Sequence, residues 1–391
     1  MPGIYNKRKR LVLAAINIVL EILCFPKRFF KKQELEKIHP QKILLIKLDH
    51  IGDLIMSTPA FSMIRSRFPE AHISLLTTTA GKQLFDHDDR IDDVIIFNWP
   101  WPYQKTDNKF TFLKIRELIN LAFRLRQQNI DLLVDFRGDV RFILLFGVFA
   151  GAKIMVSNSR SGAMALLDHS SVYDHSKHEV QKSIDVVKCL GGPEIVPALK
   201  LALDSSEIDA VKKLLELEPR TPFRDNIVVV APYSSKDVKS WPVEYFQQII
   251  SHLLKKAARV IIVGGTEDKD AARNLIADFG GEDVFSLAGK TSIRQLAALT
   301  SIAKLVIGVD TGVLHIAACF DVPIIAIFGP TRSIEFRPYS DKTIVLQSNT
   351  CRCDQFVHLK CDIPVQEYAK CMADLNPTTV NATIDKIWVQ K

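Results

Sequence analysis

The sequence predicts an α/β chain built from two doubly wound domains, and three observations carry that prediction. From residue 42 onward, short apolar runs rich in Val, Ile and Leu alternate with longer amphipathic stretches, the pattern of parallel strands joined by crossover helices. The series occurs twice, with a proline-broken stretch between the halves. With 391 residues, 47% hydrophobic and 24% charged, the chain has the length and makeup for about two ordinary domains.

Residues 1–40 stand apart from this alternation. Nine basic side chains there (Lys7 to Arg10, Lys27, Arg28, Lys31, Lys32, Lys37) face only Glu21, Glu34 and Glu36, so +6 of the net +7 lies in this segment and +1 in all the rest. A nucleic-acid binder is therefore disfavoured, because the body is close to neutral. Between the basic clusters runs LVLAAINIVLEILCF, residues 11–25. That run falls short of the roughly 20 apolar residues a membrane span needs, and its basic flanks suit a helix lying in an anionic lipid interface. A helix packed on the protein's own surface is the plainer alternative. No run has the pattern of a secretory signal, and seven cysteines are too few for a disulfide scaffold, so a reducing, cytoplasmic setting is expected.

Strands of the first half are expected at 42–48, 72–77, 92–97, 131–136 and 152–156. Pro193, Pro197, Pro219 and Pro222 break up the next region, which reads as a linker over about 192–225. Strands of the second half follow at 226–232, 258–265, 283–289, 303–310 and 322–330. The expected organisation is thus an extension (1–40), a first domain (41–200) and a second (201–391). Doubly wound sheets bind ligands at the carboxyl ends of their strands, and the polar motifs cluster there.

The first strand runs into Lys47-Leu48-Asp49-His50-Ile51-Gly52-Asp53, with a helical pattern from Leu54 to Arg65. Gly52 suits a tight turn, and Asp53 falls in the first helical turn, where free N–H groups and the helix dipole favour a carboxylate. Asp53 reads as a general base, or equally as a helix cap. After the strand ending at Val309 comes Asp310-Thr311-Gly312-Val313-Leu314-His315, an N-cap, a glycine and a histidine at a helix start that suit a diphosphate; a capped helix with a core histidine is the plainer reading. Ser234, Ser235, Lys236 and Lys239 precede Trp241-Pro242, with proline expected at the first helical position. They make a phosphate cradle or a solvated loop, and Gly329 to Arg332 would border the same pocket. Arg137 and Arg141 after one strand, and Ser157 to Arg160 after the next, read as polar loops that bind an anion or stay solvated. Neither a P-loop nor a GxGxxG is present, which speaks against NTP hydrolysis and dinucleotide chemistry.

Cys351, Cys353, Cys361 and Cys371 follow a C-x-C-x7-C-x9-C spacing. Structural zinc sites generally use C-x2-4-C pairs, so reduced structural thiols are favoured over a metal knot. Cys24, Cys189 and Cys319 read as residues of apolar faces.

Taken in order, KLDHIGDLIMSTPAFSMIRSRFPEAHISLLT, KSWPVEYF, LAGKTSIRQLAAL and VDTGVLHIAACFDVPIIAIFGPT closely resemble the heptosyltransferase family, glycosyltransferase family nine of lipopolysaccharide biosynthesis. The resemblance covers nearly everything after residue 40 and implies a GT-B architecture of two Rossmann-like domains facing a cleft. It implies an inverting transfer, typically from ADP-heptose, onto a lipopolysaccharide core or related glycolipid, with no cofactor and no essential metal. Asp53 becomes the general base, with Lys47 and Gly52 beside it and Arg137 and Arg141 on the acceptor side. Ser234, Ser235, Lys239, Asp310, Thr311, Gly312 and His315 bind the donor. The expected partners are a nucleotide sugar, a lipid-linked glycan and, through residues 1–40, the cytoplasmic face of the inner membrane. A nucleotide-sugar 2-epimerase of the same architecture, or a silent sugar-binding scaffold, are the competing readings.

Overall fold

A computed structural model describes residues 39–99, 112–162, 164–192, 195–217, 226–280, 283–348, 361 and 364–389. The expected interfacial segment, Cys24, Cys351 and Cys353 lie outside the described residues. The chain divides into two compact units, Met1–Leu199 and Lys200–Lys391.

Each unit holds a six-stranded, wholly parallel sheet. In the first the order is β3-β2-β1-β4-β5-β6, from β1 (Lys42–Ile46), β2 (His72–Thr77), β3 (Asp93–Ile96), β4 (Leu132–Asp135), β5 (Ile154–Asn158) and β6 (His169–Ser171). The second repeats it as β12-β11-β10-β7-β8-β9, from β7 (Ile227–Ala231), β8 (Arg259–Ile262), β9 (Val284–Ser286), β10 (Leu305–Val309), β11 (Ile324–Phe328) and β12 (Thr343–Gln347). Counted within its own unit, each sheet has the order 3-2-1-4-5-6. KILLI and IVVVA are buried along nearly their whole length, as strands covered by helices on both faces must be.

Strands β1 and β7 are the hinges of this topology. β1 pairs β2 on one side and β4 on the other, with Ile43 opposite both Ile73 and Leu132. β7 pairs β8 and β10 in the same way. Connections leave in opposite directions at such a switch point, opening a crevice outside the carboxyl ends of the two central strands. Loops after β1 and β4, and after β7 and β10, therefore border the crevices, and they carry the motifs singled out in the sequence.

Several expectations are corrected in detail. Each half has six strands, not five: β6 is a three-residue polar edge with no apolar run, and β12 is a half-exposed edge whose apolar run is only Ile344 to Leu346. The helix expected over 54–65 is two helices, Ile51–Ile55 and Thr58–Arg67, the second carrying Pro59 in its first turn. Ser157 and Asn158 belong to β5, not to a loop. Within the expected linker, Ser205–Leu217 is a helix of the second unit that buries Val211 and Leu215. Pro242 is the N-cap of helix Val243–Leu254, one position earlier than expected.

The second core centres on Trp241, whose Nε1 donates to the Leu375 carbonyl (3.0 Å) and whose ring meets Phe246 edge-on at 4.9 Å. Cys371 is buried in the same core and Cys361 packs against it, while Cys189 and Cys319 are half-buried.

Candidate functional site

In the first unit, the turn after β1 delivers a run of ionisable groups into the crevice. His50 is the N-cap of the short helix, extended at φ −69° and ψ 164°, and makes no side-chain capping bond. Asp53 is therefore not the cap but the third helical residue, half-buried. Among the described residues its carboxylate has no hydrogen-bond or ion-pair partner at contact distance. Lys47, Asp49 and Gly52 are buried. The Asp49 carboxylate pairs with Lys47 Nζ (3.2 Å) and with the Arg137 guanidinium from the loop after β4, so the two sides of the switch point are pinned together.

That second loop has its own scaffold. Asp135, the wholly buried last residue of β4, accepts from the backbone N–H groups of Arg137 (3.1 Å), Gly138 (2.8 Å) and Asp139 (3.0 Å) and from the Ser157 hydroxyl (2.9 Å). Burial pushes its pKa up to about 6 against those bonds. Gly138 sits at φ +70°, where a Cβ would also fall 2.0 Å from Asn158 Oδ1, so only glycine fits the turn. Asp139 lies near Arg137 Nε (3.6 Å) and grips Arg141 through Nε (2.8 Å) and Nη2 (2.5 Å). Arg141 is half exposed and stacks over Trp99 at 4.9 Å.

A third group completes the patch. Helix Glu179–Lys188 presents Glu179 to Lys182 Nζ (2.8 Å) and to the Tyr173 hydroxyl (3.1 Å), while Lys182 and the Arg160 guanidinium lie over the Tyr173 ring at 4.4 and 5.5 Å. Burial opposes the Glu179 charge, yet Lys182, Lys47 and Arg160 hold it below the usual carboxylate range. Burial pushes Lys47 down, with Asp53 and Glu179 resisting. Burial and the neighbouring Arg160 bring Arg137 down to about 9. Burial also opposes the Arg160 cation, but Tyr173, Glu179 and Asp53 hold it above its ordinary range. Cations interleaved with carboxylates in this way can hold an anionic ligand through charge-assisted hydrogen bonds beside a free carboxylate.

In the second unit the site is smaller. Lys239, from the turn after β7, pairs with Asp310 at the end of β10 (2.5 Å); the Ser234 hydroxyl donates to the Asp310 carbonyl (3.3 Å), and Thr331, after β11, bonds the Asp310 side chain. Three loops thus converge on one carboxylate. Burial opposes its charge, and Lys239, Thr331 and His315 hold its pKa below the ordinary value. His315, the fourth residue of helix Gly312–Ala317, is buried, and burial pushes it down to about 4 despite Asp310. It is neutral at neutral pH, with Nδ1 unpaired among the described residues. Thr311 occupies the N-cap position but makes no side-chain capping bond, and Gly312 is half-exposed beside it. Ser235 is exposed and takes no part in the contacts at Asp310.

Tyr173, Glu179, Lys182 and Asp135 were not legible as site residues in the sequence. Glu179 and Lys182 stand at i,i+3 on one helix, a spacing that ordinary helix ion pairs share. A groove of about 680 Å³ lies elsewhere, between the end of β3 and helix Phe112–Gln127, and none of the residues of the four loops lines it. Among the described residues, no group of three or more His, Cys, Asp or Glu is placed to hold a metal, and no helix is long and apolar enough to cross a membrane.

Comparison with known proteins agrees with the two-sheet fold. The model of glycosyltransferase family 9 (heptosyltransferase) matches residues 118–364. Lipopolysaccharide heptosyltransferase 3 of Escherichia coli K12 is 25% identical over 298 residues, covering 75% of this chain and 84% of that protein. Lipopolysaccharide heptosyltransferase 2 of Salmonella typhimurium is 20% identical over 366 residues, covering 87% and 96%. Among solved structures, E. coli ADP-heptose lipopolysaccharide heptosyltransferase II superposes with a TM-score of 0.71 at 19% identity, covering 89% of this chain and 99% of that one.

Proposed function

Since the chain belongs to glycosyltransferase family 9, the heptosyltransferases, we propose that it transfers heptose from ADP-heptose to a lipopolysaccharide core or a related lipid-linked glycan, with inversion at the anomeric carbon and Asp53 as general base. The observation that carries this reading is the Asp53 carboxylate, half-buried at a switch point, unpaired at contact distance among the described residues and set in the field of Lys47 and Arg160.

On this reading the first unit binds the acceptor. Arg137, Arg141 and Arg160 take its anionic groups, Gly52 keeps the turn beside Asp53 free of a side chain, and Lys47, anchored on Asp49, sets the field around Asp53. The second unit binds the donor. Lys239 and the Ser234, Ser235 and Thr311 hydroxyls face the diphosphate, as does the Gly312 backbone, with Asp310 holding Lys239 in place. Attack and proton loss are one step: the acceptor hydroxyl gives its proton to Asp53 as its oxygen bonds the anomeric carbon, and the nucleoside diphosphate leaves from the opposite face with the bonding electron pair. Fixed donors must then meet the charge that develops on the leaving phosphate, which is the task of Lys239 and of neutral His315 as a hydrogen-bond donor. No cofactor or metal has a step in this scheme. The reaction is placed at the cytoplasmic face of the inner membrane, with residues 1–40 at the lipid surface.

Calorimetry against ADP-, UDP-, GDP- and CMP-sugars tests the donor, because a ligand of the native state also raises its melting temperature. A selective response to ADP-heptose, followed by ADP release on adding a core acceptor, is the expected result. A response confined to UDP- or GDP-sugars would reassign the donor.

A further inference from the structure

Helix Phe112–Gln127 packs Leu118, Leu121, Ala122 and Leu125 into the core of the first unit and turns another set of apolar side chains outward. Ile115, Ile119 and Phe123, spaced i, i+4, i+8, form one line, each more than two-fifths exposed. Val148 and Phe149, exposed to a similar degree, extend it, with Phe149 meeting Phe123 edge-on at 5.2 Å and its carbonyl accepting from Arg126 (2.8 Å). Contiguous apolar surface of this kind marks an interaction site, whereas scattered exposed residues do not.

Charge identifies the occupant. The helix carries Lys114, Arg116, Arg124 and Arg126 against Glu117 alone, a net +3. Of the chain's +7, residues 1–40 hold +6, so everything else outside this helix sums to −2. The basic excess of the folded body is thus concentrated beside its exposed apolar line. A second copy docked on the same face would set +3 against +3, and the chain's own N-terminal segment would bring +6. Both are repelled. An anionic lipid surface offers the complementary charge and a medium for the apolar line.

We infer that the face formed by Ile115, Ile119, Phe123 and Phe149, with Arg116 and Arg124 beside it, is a membrane-contact surface for anionic phospholipid headgroups, separate from residues 1–40. The inference rests on the reading that the acceptor is lipid-linked. It adds a contact on the acceptor-binding unit itself, which would hold that unit at the interface where its substrate emerges.

The test uses the full chain and two double variants, Ile119→Ser/Phe123→Ser and Arg116→Glu/Arg124→Glu, in flotation with vesicles of phosphatidylethanolamine and phosphatidylglycerol and, separately, of phosphatidylcholine alone. Exposed substitutions leave folding intact, which circular dichroism checks. Each basic residue near an anionic surface contributes enough that reversing two should weaken anionic-vesicle binding by at least about tenfold. The apolar variant should lose binding too, and turnover of a short, delipidated acceptor should stay at the wild-type rate in both. Three outcomes would overturn the inference: a wild-type chain that binds neither vesicle, variants that bind as wild type does, or variants that lose self-association while keeping vesicle affinity. Absence of turnover on every acceptor, with vesicle binding intact, would instead sink the functional reading and leave this surface standing.

Discussion

The two units share a strand order but fill the same topological position with different chemistry. At the first switch point, Lys47, Arg137, Arg160 and Lys182 interleave with Asp49, Asp139 and Glu179, and Asp53 alone is left without a contact partner among the described residues. At the second, one ion pair, Lys239 with Asp310, stands beside a neutral histidine. A fold supplies the crevice and leaves its chemistry to the loops. On the proposed reading, the first crevice must hold an anionic acceptor and keep one carboxylate able to take a proton. The second needs only fixed, donating groups for a diphosphate.

The sharpest way to break this contrast is at Asp53. Replacing it with Asn keeps the size and removes the base, so kcat should fall by about a thousandfold, within the range general-base removal gives, while donor affinity measured by calorimetry stays within about twofold. Retained turnover would leave the two crevices with no division of labour. The opposite pattern is expected from Lys239→Ala. Donor affinity should fall at least about tenfold, and because the change strands Asp310 as a largely buried charge, stability should drop by about 3 kcal/mol in urea unfolding. Adding Asp310→Asn to that variant should recover much of the stability and none of the affinity.

A smaller effect is expected at the scaffold of the first crevice. Asp135→Ala frees three backbone N–H groups of the 137–139 turn, and a loss of about 2 kcal/mol in stability should accompany a raised acceptor KM with donor affinity unchanged. An equal loss of donor affinity would mean the variant damages the whole protein and not one crevice.

How much could be read in the sequence divides along the same line. The second crevice was legible because its residues follow strand ends in short motifs: Asp310, Thr311, Gly312 and His315 lie within six positions, and Ser234 and Lys239 follow another strand of the same half. Both parallel sheets were legible from their apolar runs; β6 was not, because three polar residues make no such run, and β12 was not, because its run is only Ile344 to Leu346. In the first crevice, Lys47 and Asp53 could be found from their strand–turn–helix junction. Glu179, Lys182 and Tyr173 arrive from the turn after β6 and the helix that follows it, more than a hundred residues from Asp53, and nothing in local spacing marks them as neighbours, whereas Arg160, after β5, was read as part of a polar loop.

The mildest expected effect concerns His315 and needs only pH. Its pKa is about 4 in the folded chain and near its ordinary 6.5 when unfolded, because burial disfavours the imidazolium. Between those values the unfolded chain binds the extra proton and the folded chain does not, so this residue's share of stability is fully present above pH 6.5 and is lost progressively as pH falls toward 4. Asp310, held below the ordinary carboxylate range, adds its own loss only at lower pH, as its unfolded-state value near 3.8 is passed. Urea unfolding midpoints of wild type and His315→Gln, followed from pH 7 to pH 4, separate the two residues: relative to wild type, the variant should gain stability progressively as pH falls below 6.5. The first crevice offers the counterpoint. Asp135, raised to about 6, tilts stability the other way over the same window, because the folded chain there holds a proton the unfolded chain releases. Asp135→Asn should therefore steepen the acid-side decline that His315→Gln removes, and identical pH profiles for the two variants would show that neither crevice is as closed to water as its packing indicates.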